Sequence, residues 1–210
     1  MRKELTDVTV VLDRSGSMQS CWIEAETGVN AFVEKQRAAD GECVFSLVQF
    51  DTEYEFVHRG VPIADVPKFS LVPRGMTALL DAVGRAINET GERLKGMKKK
   101  DRPGLVVFVI VTDGAENASH EFTKAQVKEL VERQQSEYQW QFTFLGANQD
   151  AFSEAKSLGI PVGAAAGYSV ANTDQVFCAA SSNVSRMRSA AMSGVPVAAD
   201  YTDEERDSMR

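Results

Sequence analysis

Residues 105–111, Leu-Val-Val-Phe-Val-Ile-Val, form the most apolar run in the chain, with no polar side chain in it. A strand with one wet face alternates apolar and polar residues. An uninterrupted apolar run of this length suits a strand covered on both faces, as in a parallel sheet sandwiched between helices. Residues 8–12 (VTVVL) and 43–50 (CVFSLVQF) read the same way, while residues 140–145 (WQFTFL) alternate more and suit a strand nearer the edge.

Helical patterns separate these runs. Trp22, Ala25, Val29 and Phe32 recur at spacings of three and four, as do Leu79, Val83, Ala86 and Ile87, and Val127, Leu130 and Val131 mark a third helix. Thr123 and Gln126 have capping-box spacing at its start. A fourth helix is expected from near Asp150 to Gly159, with Pro161 as a stop signal. Residues 54–61 follow the 43–50 strand too closely for a helical crossover, so the two should pair antiparallel. The predicted fold is therefore α/β and doubly wound, with a mostly parallel central sheet, one antiparallel edge strand and helices on both faces.

The 210 residues fit a single domain over 1–193, with a core at about 7–167 and a C-terminal helix at about 172–193. Phe177, Ala180, Val184 and Met187 share one face of that helix. Residues 194–210 hold Pro, Gly and many charges and read as a mobile tail, although Thr202 and Glu205 have the spacing to cap a short helix. Apolar residues make up 43% of the chain, enough for a core, and charged residues 25%.

The formal net charge of −7 repels phosphate backbones and anionic lipid, which argues against nucleic acid and membrane as partners. The basic run Lys98-Lys99-Lys100 with Arg102 follows a predicted helix, where cations complement the negative end of the helix dipole. Cys21, Cys43 and Cys178 are odd in number and widely spaced; they read as three reduced thiols rather than a zinc cluster. The N-terminal segment lacks the pattern of a signal peptide, and no window is apolar enough for a transmembrane helix, so a cytoplasmic location is expected.

Three loops carry the chemistry. Asp13, Ser15 and Ser17 form a D-x-S-x-S motif directly after the first strand, at the sheet edge where open α/β folds bind ligands. One carboxylate and two hydroxyls supply hard oxygen donors, and Gly16 lets the loop fold tightly. Thr77 precedes the helix that starts near Ala78, where helix capping is its simplest role. Asp113 stands in Thr112-Asp113-Gly114, directly after the 105–111 strand; a turn-forming Asp-Gly is its simplest role. The strands before Asp13 and Asp113 should be neighbours, which would set the two carboxylates across one edge.

DRSGSM, GMTALLDA and VTDG resemble the three parts of the metal-ion-dependent adhesion site of von Willebrand factor A-type (VWA) domains, over roughly residues 7–167. All five ligand positions are present without substitution. The chain is more similar to the stand-alone bacterial and phage versions than to extracellular modules. The resemblance implies that Asp13, Ser15 and Ser17 contact a metal directly, that Thr77 does so when a ligand is engaged, and that Asp113 often acts through water. Oxygen donors in octahedral array suit Mg²⁺ or Mn²⁺, and Ca²⁺ less well. Few of the donors are anionic, so the metal should favour an Asp or Glu supplied by a protein partner. Met18, Met76 and Glu116 are expected on a partner-contacting rim. Some bacterial relatives work beside AAA+ ATPases, which suggests an adaptor role.

The rival reading is a Mg²⁺-dependent phosphohydrolase or phosphotransferase on a similar sheet. Such enzymes commonly pair two carboxylates in a D-x-D loop, and Ser15 stands at the second position here. The chain has no phosphate-cradling GxxxxGK[ST] loop. His58, on the predicted edge strand, and His120 are its only histidines, and Glu116 has no visible partner to tune it as a base. No catalytic residue is therefore assigned.

Overall fold

A computed structural model of the chain describes residues 1–147 and 150–210. Its centre is β4 (Pro103–Thr112), which contains the 105–111 run and is flanked on one side by β1 (Arg2–Asp13) and on the other by β5 (Gln141–Ala147). With β2 (Glu42–Phe50), β3 (Tyr54–Pro62) and β6 (Ala165–Tyr168) they form one six-stranded sheet in the order β3-β2-β1-β4-β5-β6. All neighbours are parallel except β3, which pairs antiparallel with β2 as expected.

Side chains alternate across the sheet. Val8, Val10 and Leu12 of β1 enter one core with Ala25, Val29 and Phe32 of α1 (Trp22–Ala38) and Val176, Ala180 and Met187 of α5 (Thr173–Ser193). Val11 enters the other, with Val83 and Ile87 of α2 (Leu79–Lys95), Val127 and Val131 of α3 (Lys124–Tyr138), and Ala155 of α4 (Ala151–Ser157). Each of the Val, Leu, Ile, Met and Phe side chains among these contributes about 1.5–3 kcal/mol by leaving water, and the alanines less. The helix ends follow the sequence. Thr123 and Gln126 form the capping box of α3, Asp150 caps α4, and Gly159 beyond it takes φ +78°.

One strand goes unread in the sequence, and one expectation is corrected. The sheet has a sixth strand, β6, whose Ala-Ala-Gly-Tyr sequence carries almost no β signal. Residues 194–210 pack onto the domain rather than leaving it as a mobile tail. Tyr201 and Met209 are buried, and α6 (Asp203–Met209) opens with the Thr202–Glu205 capping box. Arg186 of α5 pairs with Glu205 and anchors the same segment. Two apolar anchors and an ion pair hold a stretch whose overall composition reads as loop.

Among the described residues no helix is long and apolar enough to cross a membrane. Cys21 and Cys43 are buried, Cys178 is exposed, and all three thiols are free.

Candidate metal centre

The carboxyl ends of β1 and β4 deliver Asp13 and Thr112 side by side, both buried. Asp13 accepts hydrogen bonds from the Ser15 N–H at Oδ1 (2.7 Å) and from the Thr112 hydroxyl at Oδ2 (2.6 Å). These contacts fix the orientation of its carboxylate. The Ser15 and Ser17 hydroxyls lie 3.0 Å apart, and Ser17 Oγ donates to Asp113 Oδ1 at 2.7 Å. Thr77 closes the group: its Oγ1 and Ser17 Oγ lie 3.2 and 3.5 Å from the point where a Cβ on Gly114 would stand. The structure thus gathers oxygens of Asp13, Ser15, Ser17, Thr77 and Asp113, from three loops, at one sheet edge.

The electrostatics are one-sided. Among the described residues no Lys, Arg or His pairs with Asp13 or Asp113. Burial pushes the Asp13 carboxyl up to about 6, against the Thr112 and Ser15 hydrogen bonds, and the nearby Asp113 adds to the rise. Burial also raises Asp113, opposed by the Ser17 hydroxyl. A divalent cation would supply the missing positive charge, and the hard oxygen donors fit one. Among the described residues no group of three or more His, Cys, Asp and Glu side chains is placed to hold a metal.

Thr77 is not the cap of α2. The helix starts at Leu79 with Ala78 before it and no side-chain cap from either residue. Its first turn is held from outside: Glu116 accepts from Leu80 N–H at 2.9 Å, and also from Ala118 and Ser119 N–H. Glu116, expected on the rim, is therefore engaged in joining the Asp113 loop to α2. Met18, also expected on the rim, is buried in the core from the inner face of the Gly16–Ser20 3₁₀ turn. Met76 is 54% exposed beside the site. His58 lies on β3 opposite Leu47, well back from the carboxyl edge, and its Nε2 is buried without a partner.

A second set of residues escaped the sequence reading. Asp51, just after β2 and buried, accepts from Arg14 Nε (2.8 Å), Arg74 Nε (2.9 Å) and the Glu53 N–H (2.6 Å). Arg14 also reaches Gln49 and Glu55. Backbone bonds from Gly16 N to Gly75 O (3.1 Å), Arg74 N to Arg14 O (2.8 Å) and Ala78 N to Asp51 O (3.0 Å) weld the same loops. Gly75 takes φ +70°, with Asp51 Cβ 3.2 Å from where its own Cβ would stand, so any side chain there is strained and crowded against Asp51. On the other side Asn117 accepts from Thr77 N–H at 2.9 Å and donates its own N–H to Thr77 O. An acidic residue at the end of a strand was the one available signal for Asp51.

No family model matches the sequence, and no curated protein matches it. Solved structures do match the fold. Proximal thread matrix protein 1 from the mussel byssus superposes with a TM-score of 0.60 at 15% identity, over 82% of this chain and 46% of that one. A second structure of that protein has a zinc-occupied MIDAS motif (TM-score 0.56, 15% identity, 82% and 46% coverage). The ArnB paralog VWA2 from Sulfolobus acidocaldarius matches with a TM-score of 0.51 at 17% identity, over 86% of this chain and 45% of that one. A von Willebrand factor type A structure from Catenulispora acidiphila gives 0.54 at 14% identity, over 89% and 42%. The chain spans less than half the length of each of these neighbours. At such identities the likeness is one of fold: the sheet and helices have a von Willebrand factor A-like arrangement.

Proposed function

We propose that this chain is a metal-dependent protein-binding module. In this reading Asp13, Ser15, Ser17, Thr77 and Asp113 hold a divalent cation, and a Glu or Asp of a partner protein completes its coordination. The observation that carries the reading is Asp13: a buried carboxylate with no cationic partner among the described residues, beside converging hydroxyls. Mg²⁺ suits the donors best, Mn²⁺ next, and Ca²⁺ less well. The zinc-occupied motif of the mussel neighbour supports a divalent ion at this place in the fold. When bound, the cation supplies a positive centre that attracts a carboxylate. The protein's own residues do the positioning: Thr112 and the Ser15 N–H hold the Asp13 carboxylate, and Asp51 with Arg14 stiffens the loop that carries both serines.

The phosphohydrolase reading has less support. Ser15 stands where the second acid of a D-x-D loop would be, and Arg14, the nearest cation in sequence, is turned into Asp51, Gln49 and Glu55. The resemblance to stand-alone bacterial and phage domains adds an AAA+ ATPase as one kind of partner and the cytoplasm as the location. A pull-down with and without chelator, comparing wild type with Asp13→Ala, tests the reading. Partners should be lost in chelator and in the variant, and Mg²⁺ should restore them to wild type only. Partner binding unchanged in both, or turnover of a phosphorylated substrate that needs Asp13, would overturn it.

A further inference from the structure

The edge of the sheet opposite the oxygen cluster carries a feature that metal binding does not use. A groove of about 340 Å³ runs between α2 and α3, below the start of β4. That lies within the range of roughly 300–1,000 Å³ typical of ligand pockets. Its floor is Ile87, Leu94, Val106 and Trp140, with Leu130 and the 52% exposed Tyr138 along the α3 side.

One residue leaves a gap in the α2 wall of the groove. The apolar stripe of α2 runs Val83, Ile87, position 91, Leu94 at spacings of four, four and three, and position 91 is glycine. A Cβ built on Gly91 meets no atom within 4 Å. Every other member of the stripe is buried, so this is an open step in an otherwise filled seam.

Cations outnumber carboxylates at the mouth. Lys95, Arg102 and Arg133 line it with one acid, Glu92; Lys95 pairs with Glu92 and Arg133 with Glu137, and the turn that leads from Lys95 to Arg102 carries Lys98, Lys99 and Lys100 beside the lining residues in sequence. Residues 95–102 hold five cationic side chains against one carboxylate, Asp101, in a chain of net charge −7. Arg102 alone donates to the carbonyls of Lys95 (3.0 Å) and Met97 (3.1 Å). Among the described residues Lys98, Lys99 and Lys100 are exposed and none has an acidic side chain within ion-pair distance.

We propose that this groove docks an acidic peptide segment of a second protein, with one apolar side chain of that segment seated above Gly91 between α2 and α3. The apolar floor favours a peptide over a nucleic acid or a lipid headgroup, which would need the cations alone. The span of β4 places the groove about 30 Å from the oxygen cluster, at 3.3 Å per residue. The chain would then hold two partners at opposite edges of one rigid sheet.

The test uses fluorescence anisotropy with a labelled amphipathic peptide of leucines at helical spacing and glutamates elsewhere. Wild type should bind it saturably. Gly91→Phe fills the step with little strain, since nothing stands near that Cβ, and thermal unfolding checks that the fold is kept. This variant and the triple variant Lys98→Glu/Lys99→Glu/Lys100→Glu should each weaken binding by about tenfold or more, roughly 1.4 kcal/mol. Asp13→Ala and chelator should leave it unchanged, which separates this site from the metal edge. No saturable binding to wild type, or equal binding by a folded Gly91→Phe, would overturn the proposal. So would equal affinity for the same peptide with serine in place of leucine, a short DNA duplex or phosphatidylserine vesicles. Any of those would mark the lysines as a general polyanion surface.

Discussion

Asp7 and Asp13 lie six residues apart on β1, point to the same face of the sheet, and are both buried. Asp7, toward the amino end, receives a bidentate pair from Arg93 of α2 at 2.8 and 2.9 Å. Asp13, at the carboxyl end, receives one backbone N–H and one hydroxyl. A buried carboxylate with its own arginine is complete and belongs to the fold. One held only by neutral donors keeps its demand for positive charge, and it stands at the sheet edge that gathers the Ser15, Ser17 and Thr77 hydroxyls.

The largest expected effect breaks the complete pair. Arg93→Met strands Asp7 in the interior and should lower stability to urea by about 3–5 kcal/mol. Asp13→Asn, measured in chelator, should cost far less or stabilise. Similar losses for the two variants would erase the contrast.

The second effect is the pH dependence of the incomplete site. With no metal, folding raises the Asp13 carboxyl from 3.8 to about 6, so the folded protein holds that proton more tightly than the unfolded chain does. The Asp13 contribution is therefore most favourable below pH 4. It declines as pH rises toward 6 and levels above it, a change of about 3 kcal/mol. Wild type minus Asp13→Asn in chelator isolates this slope from other carboxylates. Excess Mg²⁺ should reverse it, because metal and proton compete for the same group. A difference that grows more favourable to wild type with rising pH in chelator would contradict the assignment.

Asp51 tests whether the loops need their clamp. Asp51→Asn weakens charge-assisted bonds to the buried Arg14 and to Arg74, and should cost about 1.5–3 kcal/mol. It should also weaken Mg²⁺ binding without touching a ligand. Unchanged metal affinity would show that the backbone bonds among the loops suffice. The smallest effect concerns the thiols. A thiol reagent on native protein should label Cys178 alone, since Cys21 and Cys43 are buried and burial pushes Cys43 up to about 12. Denatured, unreduced protein should show all three, and a stable disulfide would overturn the reading of reduced thiols.

The parts of this molecule that a sequence displays are those where one residue's role is local. Apolar runs mark β1, β2 and β4, a short gap marks the antiparallel β3, and Thr123 with Gln126 marks the start of α3. The five candidate ligands stand at strand ends and helix starts, so their convergence follows once the sheet order is known. β6 is too small and too poor in branched residues to be seen. The inward turn of Met18 is not legible because a short 3₁₀ turn has no periodicity long enough to reveal its buried side. Asp51, Arg14, Arg74 and Asn117 act on partners 23 to 40 residues away, and no spacing rule reaches that far.

The central claim is that the oxygens around Asp13 form a cation site, and calorimetric titration with Mg²⁺ tests it most directly. Wild type should give saturable one-to-one heat, Thr77→Ala a weaker isotherm, and Asp13→Ala none, while all three unfold at similar temperatures in chelator. Free metal should raise the melting temperature of wild type by mass action. No binding heat, together with equal melting temperatures in chelator and in excess Mg²⁺ or Mn²⁺, would contradict the account.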